Sequence, residues 1–339
     1  MRYRVTLIEG DGIGPEVTGA TCRILEAARA PIDWDPAPAG GVAMEKYGVP
    51  MPEVTLESIK KNRLGLKGPL MTPKGGGFRS ANVAMRQELD LFVGLRPVRT
   101  LPNVPGAWPG LDLVLFRENT EDLYAGIEHE VTPGTVVSMK TSTAAAGERI
   151  ARWAFEYMRY RGRRRIHCCH KAAINPRADG AFLNAFRAVG AEYPFIEQLD
   201  MGVDSLSLLL PIDPSKFDVL LLQNLYGDIL SDLCAGLAGG LGVVPGANIG
   251  ARAAVFEAVH GTAPDIAGQG KANPLALLLS ANMLLEHVGE WKIASRIERA
   301  VWTVLADGSH ITGDLGGNAT TEEFTRAVIR ALDSNAGET

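Results

Sequence analysis

Phe217–Leu222 (FDVLLL) is an apolar run of the length and type of a buried strand, and the residues just after it constrain this chain most. Asn224 and Gly227 break the run. After Gly227 the pattern turns helical, with Ile229, Leu230 and Leu233 at apolar positions. Asp228 and Asp232 are four apart, so a helix sets both carboxylates on one face, one turn apart. Two anions held that close stay charged together only around a cation. Oxygen-only ligands select a hard ion, Mg²⁺ or Mn²⁺. The competing reading is a solvated acidic helix face. The strand–turn–helix setting favours a site, because open α/β sheets bind ligands beyond the carboxyl ends of their strands.

The same alternation recurs along the chain. Tyr3–Ile8, Leu64–Leu70, Leu111–Phe116, Ile166–His170 and Ala254–Val259 read as strands. Helical stripes follow in 17–28, 82–91 and 150–158 and after the Asn273-Pro274 start signal, which Gly289 closes. Thr320 to Glu323 fits a capping box for the last helix. The fold class is therefore α/β. Gly10-x-Gly12-x-Gly14 lacks the G-x-G-x-x-G spacing of a dinucleotide fingerprint and reads as a structural turn. His129–Lys140, with Pro133-Gly134 at its middle, reads as a hairpin-like arm. The Ile166–His170 strand carries two cysteines and two histidines, but alternation splits them between faces, which favours a structural role over zinc.

A chain of 339 residues can bury a large core and form two domains. Its net charge of −5 makes nucleic acid and anionic membrane poor partners. No apolar run is long enough to span a bilayer, and the first residues enter a strand pattern rather than a signal peptide. The four cysteines show no C-x-x-C spacing and nothing suggests export, so reduced thiols in a cytoplasmic protein are expected.

Four segments stand at strand ends: Ser80–Arg86 with Arg96, Arg117–Tyr124, Lys171, and Asp204 with Asp228 and Asp232. Arginines bind carboxylates bidentately, a metal polarises a hydroxyl or carbonyl oxygen, and Lys and Tyr move protons. That set suits a small polyacid.

Several long segments give a resemblance: GDGIGPE (10–16), GLKGPL (65–70), RSANVAMRQELDLFVGLRPVR (79–99), FRENTEDLYAGIE (116–128), NLYGDILSDL (224–233), HGTAPDIAG (260–268) and DLGGNATT (314–321). In this order they resemble the isocitrate/isopropylmalate dehydrogenase family, the metal-dependent β-decarboxylating dehydrogenases. The resemblance implies an isopropylmalate dehydrogenase-like two-domain fold, not a Rossmann fold. Residues 1–95 and 238–339 would form the large domain. Residues 96–237 would form the small one, with an arm at about 122–143. The resemblance also implies a homodimer with shared active sites, which could assemble further.

Carried over by position, Ser80, Asn82, Arg86, Arg96 and Arg117 would hold the substrate. Tyr124 and Lys171 would do the proton work, with Lys171 reaching in from the other protomer. Asp228 and Asp232 would bind Mg²⁺ or Mn²⁺ with the partner's Asp204. Thr72, Glu257, His260, Gly261, Thr262, Ala263, Asp265, Ile266, Asn273 and Asp314 would form the NAD site. Ser80 and Asn82 resemble the isocitrate branch. Asp265-Ile266 stands where NADP-using members of that branch carry Lys-Tyr, which implies NAD. The implied reaction is NAD-dependent oxidative decarboxylation of isocitrate to 2-oxoglutarate. The alternatives are a homoisocitrate, isopropylmalate or tartrate dehydrogenase and a regulatory subunit without catalysis. The family usually reads His-Lys-x-Asn-Ile-Met at the lysine, and this chain has His170-Lys171-Ala172-Ala173-Ile174-Asn175.

Overall fold

A computed structural model describes residues 2–71 and 80–334. The first part of the chain runs β1 (Tyr3–Ile8), α1 (Gly14–Ala27), β2 (Ile32–Pro36), α2 (Gly41–Tyr47), α3 (Glu53–Asn62), β3 (Leu64–Lys67), α4 (Ala81–Glu88) and β4 (Val93–Arg99). The middle runs β5 (Asp112–Glu118), β6 (Glu128–Thr132), β7 (Thr135–Ser138), α5 (Ala144–Arg161), β8 (Arg165–His170), α6 (Ala178–Gly190), β9 (Glu197–Gly202), α7 (Val203–Ile212), β10 (Val219–Leu222) and α8 (Asn224–Leu237). It ends with β11 (Pro245–Ile249), β12 (Ala254–Ala258), α9 (Leu275–His287), α10 (Trp291–Asp307) and α11 (Thr321–Ser334).

Ten strands form one sheet in the order β2-β1-β3-β12-β11-β4-β5-β10-β8-β9. The two flanking halves are parallel, as helical crossovers require. They meet through β11 and β4, which are antiparallel to each other and to their outer neighbours. The boundary expected near residue 95 thus falls inside β4, a strand paired on both sides. The strands β3, β10 and β12 are buried along their whole length, the signature of a sheet covered on both faces.

Local signals in the sequence have physical counterparts. Thr320 Oγ1 accepts from the Glu323 amide at 3.1 Å while Glu323 accepts from the Thr320 amide at 2.8 Å, the reciprocal capping box. Asn273 Oδ1 accepts from the Leu275 amide at 2.9 Å at the start of α9. One boundary differs from expectation: α8 begins at Asn224, directly after the strand, and Gly227 lies inside it rather than ahead of it. Its glycine is needed for close approach, since a Cβ there would lie 2.7 Å from Arg117 Cγ.

The arm exists as β6 paired antiparallel with β7 around Pro133-Gly134, and every residue from Gly126 to Met139 is exposed.

Candidate active site

Two adjoining cavities open beside the junction of the two half-sheets. The first, of about 410 Å³, is lined among others by Lys67, Ser80, Asn82, Arg86, Arg96, Arg117, Tyr124, Asp228, Asp232 and Glu257. The second, of about 630 Å³, is lined by Ile13, His260, Gly261, Ala263, Ile266, Asn273 and Asp314 among others. His260 and Gly261 belong to both walls, so the cavities are neighbours.

The first cavity is built around one carboxylate. Glu257, near the end of β12, is buried and accepts from Lys67 Nζ at 2.7 Å and Arg86 Nη2 at 3.1 Å, with Arg96 Nη2 at 3.7 Å. Parallel pairing sets Glu257 beside Lys67, so the two charges meet through the sheet register itself. Burial alone would raise the Glu257 carboxyl, but the Lys67, Arg86 and Arg96 charges outweigh it and hold the group far below the usual carboxylate range. Asn248 completes the cluster: its Oδ1 accepts from Arg86 Nε at 3.1 Å, and its Nδ2 donates to Glu257 at 2.6 Å. Burial lowers the Arg96 guanidinium to about 10. Gly246 leaves room for that guanidinium, because a Cβ there would lie 2.6 Å from Arg96 Nη1.

Arg117 enters from the end of β5. Its Nε donates to Asn224 Oδ1 at 2.9 Å, and its Nη1 pairs with Asp228 Oδ1. Its Nη2 is buried and has no hydrogen-bond partner among the described residues, and neither does Asn82 Oδ1. Buried donors and acceptors are nearly always satisfied, so two orphans on one cavity wall point to a polar ligand. Tyr124 donates its hydroxyl to Asp228 Oδ2, and the Arg117 guanidinium lies 4.8 Å from its ring centre. Burial and that hydrogen bond raise the Tyr124 phenol and keep it protonated.

Asp122 holds this turn in place. Buried, with φ at +71°, it accepts from the Leu123 and Leu225 amides, each at 2.9 Å, and so fastens the tyrosine turn to the start of α8.

Asp228 and Asp232 stand one turn apart on α8 and both line the first cavity. Partial burial and the Asp228 charge push the Asp232 carboxyl upward, against the opposing pull of Arg117 and Arg96. An all-oxygen pair of carboxylates fits a hard divalent ion, which takes one or two protein carboxylates and completes its shell with water and substrate. The third expected ligand is not with them. Asp204, at the start of α7, is exposed and pairs with Lys171 Nζ at 2.8 Å, and that hydrogen bond lowers its carboxyl. Neither Lys171 nor Asp204 lines either cavity, and among the described residues no cluster of three or more metal-ligating side chains forms within one chain.

The expected dinucleotide residues divide. His260, Gly261, Ala263, Ile266, Asn273 and Asp314 line the second cavity, where Asn273 Nδ2 donates to Asp314 Oδ2 at 2.9 Å. His260 Nε2 is buried without a partner among the described residues. Thr262 holds the Gly10–Gly14 turn instead: its carbonyl accepts from the Ile13 amide at 2.9 Å, and a Cβ on Gly12 would lie 2.1 Å from that oxygen. Asp265 is exposed beside Ile266. Glu257 stands apart from this group, because its register with Lys67 turns it toward the arginines. Thr72 lies outside the described residues. Lys67, Asp122, Asn224 and Asn248 are site residues that the sequence alone did not single out. A lone lysine and a lone glutamate in two otherwise apolar strands, LGLK and AVFEA, are the signal that pairs Lys67 with Glu257.

Comparison with known proteins agrees with this geometry. The chain is 51% identical over 325 residues to a protein of Caenorhabditis elegans named as the probable mitochondrial alpha subunit of NAD isocitrate dehydrogenase, covering 96% of this chain and 91% of the relative. It is 47% identical to the corresponding mitochondrial alpha subunit of Homo sapiens, covering 97% of this chain and 90% of that one. It is 44% identical to a mitochondrial regulatory subunit of NAD isocitrate dehydrogenase from Dictyostelium discoideum, covering 97% and 92%. The crystal structure of isocitrate dehydrogenase from Methylococcus capsulatus superposes with a TM-score of 0.94 at 46% identity, covering 97% of this chain and 99% of that one. The mitochondrial names of these curated relatives overturn the cytoplasmic location expected from the sequence. Their description as subunits also points to assemblies of unlike chains rather than a plain homodimer. The family model for isocitrate/isopropylmalate dehydrogenase matches residues 4–328, and the chain belongs to that family.

Proposed function

We propose that this protein catalyses NAD-dependent oxidative decarboxylation of isocitrate to 2-oxoglutarate and CO₂. The observation that carries the reading is the charge balance of the first cavity. Among its described lining residues, four cations (Lys67, Arg86, Arg96, Arg117) face three carboxylates (Glu257, Asp228, Asp232). That leaves one positive charge. A divalent ion between Asp228 and Asp232 raises the surplus to three, which matches a tricarboxylate and exceeds what a dicarboxylate neutralises. The relatives named as isocitrate dehydrogenases support the same substrate.

The residues then have distinct tasks. Arg86, Arg96 and Arg117 hold substrate carboxylates, with Ser80 and Asn82 on the same cavity wall. Lys171 relays a proton away from the C2 hydroxyl. Tyr124, kept protonated beside Asp228, returns a proton to C3 after CO₂ has left. When bound, NAD⁺ in the second cavity accepts a hydride, and Mg²⁺ or Mn²⁺ on Asp228 and Asp232 supplies positive charge for the substrate's oxygens. Retention of Tyr124, Lys171 and both α8 aspartates favours a catalytic over a regulatory subunit. Residues 1–95 with 238–339, and 96–237, serve as the two lobes that carry the cofactor and the metal carboxylates. The deciding assay is NADH formation by purified protein with Mn²⁺ and isocitrate. A higher kcat/KM for isopropylmalate or tartrate would replace this substrate.

Lys171 and Asp204 act in the site of a second chain, since within one chain they pair with each other away from the pocket. Lys171→Ala and Tyr124→Phe chains, each inactive alone, are expected to recover up to about half the activity per mixed dimer when refolded together, because one of its two sites then carries neither lesion. Verified mixed assemblies with no recovery would place both groups in one chain.

The second cavity accepts NAD⁺ rather than NADP⁺. An exposed Asp265 carboxylate accepts ribose hydroxyls and repels a phosphate dianion. Wild type is expected to prefer NAD⁺ by at least about a hundredfold in kcat/KM, about 2.7 kcal/mol. The pair Asp265→Lys with Ile266→Tyr is expected to move that ratio toward NADP⁺. Equal use of both cofactors by wild type would refute the assignment.

A further inference from the structure

Glu16 stands in the first turn of α1, where a glutamate ordinarily serves its own helix by closing a capping box or facing the helix dipole. No side-chain cap forms at the start of this helix. The Glu16 carboxylate reaches another segment instead. Its Oε1 accepts from the Ala272 amide at 2.8 Å, and its Oε2 accepts from the Gly270 amide at 3.2 Å. Thr321, the first residue of α11, joins the same point. Its amide donates to the Gly270 carbonyl at 2.9 Å, and its hydroxyl lies in hydrogen-bonding reach of both Glu16 Oε1 and the Ala272 carbonyl. One half-buried side chain thus ties the starts of two helices to a single stretch of loop.

That stretch carries a wall of the second cavity. Ala263, Ile266, Lys271 and Asn273 line the cavity, and Glu16 lines neither cavity. At its other end the wall is fixed to the Gly10–Gly14 turn, where the Thr262 carbonyl accepts from the Ile13 amide at 2.9 Å. Between these attachments the loop bonds to itself. The Ala263 carbonyl accepts from the Ile266 amide at 3.2 Å, and the Asp265 carbonyl accepts from Gln269 Nε2 at 2.7 Å. The start of α1 therefore grips the wall at both ends. A loop released at one end has to be ordered by the ligand that lies on it, and that ordering costs affinity.

We propose that Glu16 is a positioning residue for the dinucleotide, holding the 263–272 wall in its binding shape before the cofactor arrives. The inference rests on the reading of the second cavity as the NAD⁺ site. Because Glu16 acts through the loop, its effect falls on dinucleotide affinity and leaves the substrate cavity unchanged.

The test is calorimetric titration of NAD⁺, and separately of isocitrate with Mn²⁺, into wild type, Glu16→Ala and Glu16→Gln. NAD⁺ affinity should fall at least about tenfold in Glu16→Ala. Glu16→Gln keeps one acceptor oxygen and should lose less. Isocitrate affinity should stay within about twofold in both variants. Turnover should divide in the same way, with KM for NAD⁺ raised and kcat held. Undiminished NAD⁺ binding by Glu16→Ala overturns the proposal. An equal loss for both ligands also overturns it, since Glu16 would then support the fold at large. If Glu16→Ala does not fold, wild-type NAD⁺ affinity in Glu16→Gln has the same force. A wild type that binds isocitrate but no NAD⁺ would remove the reading of the cavity itself, and the role of Glu16 with it.

Discussion

Asp228→Asn is expected to lower kcat/KM for isocitrate by roughly a thousandfold or more, about 4 kcal/mol of transition-state stabilisation. The aspartate has three partners to lose. Its Oδ1 pairs with Arg117, its Oδ2 accepts the Tyr124 hydroxyl, and with Asp232 it forms the carboxylate pair proposed for the divalent ion. The amide is nearly isosteric, and α8 keeps its packing through Leu230, Cys234 and Ala235. Mn²⁺ binding, followed by electron paramagnetic resonance, should weaken in parallel while the melting temperature holds. A variant that binds Mn²⁺ as tightly as wild type would remove the metal from this residue. A chelated wild-type enzyme that turns over at full rate would remove it from the reaction.

Glu257→Gln acts on the opposite side of the same cavity, and its largest effect is on folding. Removing the charge leaves Lys67, Arg86 and Arg96 facing one another in a buried cluster. Breaking a buried ion pair from one side costs about 3–5 kcal/mol. The pH dependence has a definite sign. The carboxyl is lower in the folded protein than in the unfolded chain, so its stabilisation is complete above the unfolded value, about 4.3, and is lost as pH falls below it toward the folded value. Wild type should therefore lose stability on acidification below about pH 5 more steeply than Glu257→Gln. Chemical denaturation at pH 7 and pH 4 checks both statements. Equal stability of the two proteins at pH 7 would mean that the cations are solvated rather than held by Glu257.

Much of this arrangement was legible in the sequence, because it is local. The strand β10 within the apolar run 217–222 and the carboxylates at 228 and 232 need only the two periodicities of backbone structure. The capping box at Thr320 and the cap at Asn273 are one-turn signals. What escaped depends on distance. Glu257 meets Lys67 because β12 lies parallel to β3, a neighbour relation 190 residues apart that no window of sequence reveals. Asp122 gains its role from a turn that brings it to α8, 103 residues on. The early start of α8 escaped for a related reason. Gly227 reads as a break in isolation, and only the Arg117 side chain packed over it explains a glycine within the helix. The pairing of Lys171 with Asp204 shows the same limit from the other direction. The resemblance assigns both to a neighbouring chain's site, and a single chain shows only that they pair with each other.

The exposed arm has a consequence for how the protein behaves in bulk. A two-stranded ribbon is marginal in water, and this one presents Val131, Val136, Val137 and Met139 to solvent. Covering those side chains gives association a favourable term proportional to the apolar area removed from water. Protein concentration thereby becomes a thermodynamic variable of this enzyme, on the same footing as temperature. Where the arm joins chains, dilution is expected to move the population toward separate chains, and the midpoint of thermal unfolding to climb as the protein is concentrated.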